Sequence, residues 1–189
     1  MDETRAATPQ AQAALTVRLA DAGRACVVFR GDRGEGPRTG AIPTLVGALL
    51  ASTLARLGDG EQAQDLLVTV ERTAGAFASM AQPNVLPAGL KLVEPDDLAE
   101  AKDVCTILIP ADGDAFVRGV FQTDDPDVSY QAFLYAVQFG IESLPPESLV
   151  AMSSVLRGVV QYFKSAETWP DPATIEEQLA AGKAGITGR

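Results

Sequence analysis

The chain has 189 residues, with 25 acidic against 15 basic side chains for a net charge of −10, no histidine and two cysteines. One globular domain suits that length, and a hydrophobic share of 47% with 21% charged residues excludes a disordered chain. The charge argues against a polyphosphate partner, which needs a basic face to release counterions. The missing imidazole removes serine–histidine and cysteine–histidine nucleophile pairs, HExxH helices and histidine-bearing zinc sites.

The opening MDETRAATPQ has no apolar signal-peptide core. Residues 1–8 read as a flexible tail, 9–181 as a single globular domain and 182–189 as a second tail. Thr8 before Pro9 fits an N-cap with proline at the first helical position. Ala14, Leu15, Leu19 and Ala22 then recur at helical spacing until Gly23, so a helix is expected there. Residues 25–29 form a short apolar run that reads as a buried strand, and 31–40 a loop with four glycines and one proline.

Residues 43–57 read as a helix with Val46, Leu49, Leu50, Leu54 and Leu57 at helical spacing. No charge lies between Arg38 and Arg56, so that helix should be buried on most sides. The uncharged stretch, 39–55, is too short and too polar to span a bilayer. Asp59 with Gln62 reads as a capping box opening a second helix through Ala81, and Asp97 with Glu100 as another. Residues 104–109 are the strongest strand signal, and Asp112-Gly113 turns the chain into a second strand over 116–121. Asp125-Pro126 and Asp171-Pro172 open further helices by the cap-then-proline logic. Pro145-Pro146 separates the helix from 126 to 143 from the next one. Blocks of helices around a small sheet make the chain α+β. The expectation is a helix-rich fold with a mixed or antiparallel sheet of about four short strands, packed by two helical hairpins.

Three features carry possible chemistry. A glycine loop that follows a strand and precedes a helix is a place where anions bind, and Arg30, Arg33 and Arg38 supply charge. The glycines match neither GxGxxG nor a phosphate loop. Ten carboxylates between Glu94 and Asp127, among them Asp112, Asp114, Asp124 and Asp125, form an acidic segment suited to docking a basic protein. Their spacing is not that of an EF-hand, and no metal or other cofactor is implied. On the helix from 126, Phe133, Val137 and Ile141 supply one apolar side, while Val128, Tyr135 and Phe139 supply another. A helix apolar on two sides must bury both: either the helix is central and the domain itself covers the second side, or that side meets a second copy of the chain, a dimer first.

Cys26 and Cys105 lie in apolar runs without CxxC spacing, and are expected to be buried and reduced. Together these features predict a cytoplasmic, non-enzymatic protein–protein interaction or assembly module that self-associates and binds neither nucleic acid nor membrane. The alternative is an anion- or nucleotide-binding domain using residues 30–40. The excess of arginine over lysine and the single asparagine, Asn84, suggest a GC-rich bacterial genome.

Overall fold

The computed structural model describes residues 11–31, 40–98 and 100–182. Ala13, Leu15 and Val17 are buried while Ala14 and Thr16 between them are half-exposed, which is the period-two alternation of a strand. Accordingly the first element is β1 (Ala11–Leu19) and not the expected helix. Helical spacing fits Ala14, Leu15, Leu19 and Ala22, but the alternating set is the one that finds a core to face. The β-branched Thr16 and Val17 sit comfortably on a pleated surface. The Thr8-Pro9 cap lies outside the described residues.

A tight turn through Ala22 and Gly23, both at positive φ, leads into β2 (Arg24–Gly31). Gly23 is obligatory there: a Cβ on it would stand 2.3 Å from the Gly89 carbonyl oxygen. The chain continues through α1 (Ala41–Leu57), α2 (Glu61–Ala78), the two-residue β3 (Lys91–Leu92), a 3-10 turn at Pro95–Asp97, β4 (Lys102–Pro110) and β5 (Arg118–Phe121). It closes with α3 (Pro126–Ser143), α4 (Pro146–Ser165) and α5 (Pro172–Ala181).

The strands form one five-stranded mixed sheet in the order β3-β2-β1-β4-β5, antiparallel except where β3 joins β2. The chain is therefore α+β. One sheet face carries Leu15, Val17, Val27, Cys105 and Ile107 into the core, and α1 and α3 pack against it. Because α1 has no charged residue until its last turn, it can be enclosed: α3 and α4 flank it, α5 crosses its end, and α2 lies mainly against α4. Consecutive helices are thus not each other's principal neighbours, since layers rather than hairpins close the core.

The other sheet face reads in rows fixed by the register. Arg30, Ala14, Leu108 and Arg118 form one row and Val28, Thr16, Thr106 and Val120 the next. The Thr16 and Thr106 hydroxyls are hydrogen-bonded at 2.9 Å. The apolar members of these rows stand apart from the main core cluster, Leu108 buried and Val120 exposed.

Two of the expected caps form. Asp125 accepts from the Asp127 N–H at 2.9 Å and Asp171 from the Thr174 N–H at 2.7 Å. The box at Asp59 does not: α2 starts after Gly60 without a side-chain cap, and Asp59 instead accepts from the Gln64 side chain at 3.1 Å. Asp97 ends a single 3-10 turn. Among the described residues no helix is long and apolar enough to cross a membrane.

Candidate functional site

The residues singled out from the sequence do not converge. Arg30 is exposed at the end of β2, and Arg33 and Arg38 lie outside the described residues. Asp112 and Asp114 occupy the turn before β5, where Asp112 accepts from the Asp114 N–H, while Asp124 and Asp125 follow the strand at its other end. The acidic segment is therefore divided between two ends of the sheet, and no group of acidic and cysteine side chains among the described residues could hold a metal ion.

The second side of α3 is corrected by its packing. Tyr135 is 1% exposed and its hydroxyl donates to the Gly23 carbonyl oxygen, so the domain's own core takes it. Val128 and Phe139 are half-buried and line separate depressions, Val128 beside Leu19 and Val104, Phe139 beside Lys91 and Leu92. The sheet and α1 together cover both sides of the helix, so these three residues do not form a common patch.

Both cysteines are free and buried. Burial pushes the Cys105 thiol up to about 12, and it raises Cys26 as well. Neither is poised as a nucleophile. Burial also raises Tyr135 and Tyr130, the latter with help from the nearby Asp65 carboxylate.

What the fold does assemble lies at the β5 edge. Phe116 and Val117, just ahead of β5, donate to the carbonyls of Ala180 and Leu179 at 2.9 and 3.2 Å, so the last turn of α5 is stitched to the strand's approach. These bonds take up carbonyls that a helix C-terminus otherwise leaves without partners. The other end of α5 is fixed by the Asp171 cap, whose hydrogen bonds from Thr174 lower the Asp171 pKa below the usual carboxylate value. Just ahead of it, Trp169 donates its indole N–H to the Leu54 carbonyl on α1 at 2.9 Å.

Between β5, α5 and α1 lies a cavity of about 240 Å³. Val117, Phe121, Leu179 and Pro172 give it apolar walls, and Ser52, Arg56 and Glu176 bring polar groups to it. Ser52 and Arg56 are one turn apart on α1 and so share a face. The Arg56 guanidinium stacks 4.0 Å from the Phe121 ring centroid and reaches the Thr123 carbonyl at 3.4 Å.

Parity along β5 follows from two bonds. The Gln122 N–H donates to the Val104 carbonyl at 2.9 Å, toward β4, whereas the Val117 N–H points away from β4 to Leu179. Alternation then turns the N–H and C=O of Gly119 and Phe121 to the outer edge, where no strand follows among the described residues. The sequence shows a strand near 116–121 but gives no sign that α5 returns to it. The only local signal is Gly119, where a Cβ would come within 2.9 Å of the Phe121 ring.

Comparison of the chain with protein-family models, with curated proteins and with solved structures finds no match.

Proposed function

We propose that the chain is a non-catalytic protein-interaction module that takes an extended polypeptide segment as a sixth strand along β5. The observation that carries this reading is the coincidence of a strand edge without a partner among the described residues and a walled cavity directly beneath it. An edge alone is a feature of every open sheet, and proteins usually shorten or cover such edges. Here β3, at the opposite edge, is shortened to two residues. At β5 the neighbouring helix is instead held back by the Phe116 and Val117 bonds, and no described residue takes up the outward groups of Gly119 and Phe121. A strand edge flanked by a helix, with a pocket for alternate side chains, is the geometry of strand addition: main-chain bonds supply affinity and the pocket supplies selectivity.

The scaffold around the groove is rigid in the way recognition requires. Trp169 and Arg56 each tie one wall to another element, and Asp171 caps the first turn of α5. No reacting group is needed for this role.

The test is to select peptides on the full chain from a displayed random library and to follow backbone amide exchange. Selected peptides should slow exchange at Gly119 and Phe121, and N-methylation of every second peptide amide should abolish binding in one phase and not in the other. Peptides that protect other residues and leave these two amides unchanged overturn the reading.

A further inference from the structure

Resting on that reading, we infer that the added segment belongs to another protein and alternates apolar residues, which enter the cavity, with acidic residues, which lie beside Arg118. Side chains of an added strand opposite Gly119 and Phe121 fall on the inner side of the sheet, above Val117 and Leu179. Glu176 and Arg56 both stand at that side, but the Arg56 guanidinium is already stacked on Phe121 and bonded to the Thr123 carbonyl, so the cavity offers an entering side chain mainly its apolar walls. Side chains opposite Arg118 and Val120 fall on the outer side. Arg118 is exposed and makes no ion pair among the described residues, and Arg30 stands in the same row across the sheet. Val120, 44% exposed, offers an apolar neighbour between the acidic positions. Asp112 and Asp114 ahead of β5 and Asp124 and Asp125 after it hold carboxylates at the two ends of the edge, so the attraction for an acidic residue is confined to the position beside Arg118.

The same parity argues against pairing of β5 with the β5 of a second copy. Pairing β5 with itself brings Arg118, Gly119, Val120 and Phe121 to the edge. That segment supplies no carboxylate for Arg118, and Gly119 supplies no side chain for the cavity. Nucleic acid fits no better, because it has no peptide groups with which to extend the ladder.

The experiment uses the full chain with two defined probes, short blocked peptides alternating valine with aspartate or valine with lysine. Binding is read by fluorescence anisotropy and its place by amide exchange. The aspartate peptide should bind about tenfold more tightly than the lysine peptide, the sum of one attraction gained and one repulsion avoided across neighbouring strands. Both should protect Gly119 and Phe121. Arg118→Glu should reverse the preference and Arg118→Gln should erase it, with circular dichroism verifying that both variants keep their fold. Equal binding of the two peptides at these amides, or a preference unchanged in Arg118→Glu, overturns the inferred chemistry and leaves strand addition standing. Absence of protection at both amides with either peptide overturns strand addition itself.

Discussion

The guanidinium of Arg56, on α1, lies 4.0 Å from the ring centroid of Phe121, on β5. With its bond to the Thr123 carbonyl and a looser contact to Asp124 at 3.9 Å, it ties helix to strand where the sheet would otherwise end in a loose four-residue ribbon. Arg56→Ala should cost about 1–2 kcal/mol, combining lost stacking with lost packing of the stem. Arg56→Lys keeps the charge but not the planar stack, and should recover less than half of that loss. Urea unfolding of the three proteins checks the order.

Tyr135 separates two kinds of damage. Tyr135→Phe removes the hydroxyl that donates to Gly23, but that carbonyl keeps a second donor, the Lys91 N–H at 2.8 Å. The loss should therefore stay near 1 kcal/mol. Tyr135→Glu places a charge at a site 1% exposed and should unfold the chain. A folded Tyr135→Glu variant would return α3 to consideration as an exterior helix.

The cysteines predict a pH dependence in the alkaline range. Thiols in the unfolded chain ionise around 9.0, whereas burial holds Cys105 protonated up to about 12. Between those values the unfolded state binds fewer protons, so this contribution falls as pH rises and is intact below the window. The stability gap between wild type and Cys105→Ala should narrow from pH 9 upward, measured by urea unfolding at each pH. Native-state alkylation at neutral pH should leave both thiols unlabelled.

Ser129 offers a stabilising substitution. Its hydroxyl is buried where α3 meets α1 and finds no partner among the described residues, while its carbonyl accepts from Thr53 at 3.4 Å. Ser129→Ala removes the unsatisfied group and leaves the backbone contact. It should raise stability by about 1 kcal/mol, visible as a higher midpoint at unchanged slope in urea.

Gly23 should tolerate no side chain. With φ at +69 and the Gly89 oxygen 2.3 Å from any added Cβ, Gly23→Ala must open the turn or displace the strand approach at Gly89. A loss of about 2 kcal/mol or more follows. Thermal unfolding against Gly58→Ala provides the control, since Gly58 shares the positive φ but has open space around it.

Features written into short stretches were legible in the sequence, and features made by long-range contact were not. The apolar stripe of α2, the strand around Ile107 and the caps at Asp125 and Asp171 depend on neighbours within a few residues. β1 did not read as a strand because its residues satisfy two periods at once, and only the arrival of β4 alongside decides between them. Likewise Tyr135 looks redundant along α3 until Gly23, 112 residues earlier, is placed against it. The β5 groove joins Ser52, Val117 and Leu179, whose proximity no local pattern encodes. Asp59 with Gln62 matched a capping box, but the Gln62 side chain donates to Asp127 at 2.7 Å instead.

The strand order has a consequence for how the chain is made. β1 is synthesised first yet occupies the middle of the sheet, with β2 on one side and β4 on the other. Its first neighbour emerges almost at once across the Gly23 turn. The second arrives only after α1 and α2 have left the ribosome, for Arg18 must wait for Asp103 and Thr16 for Thr106. Throughout that interval the β1–β2 hairpin presents an open flank with Leu15 and Val17 uncovered, and isolated hairpins are marginal in water. Growing chains halted before β4 should therefore be the species that aggregates or recruits a holding chaperone. A break in the connection ahead of Lys102 would strand the nascent sheet in that state, even though it removes none of the residues that later line the groove.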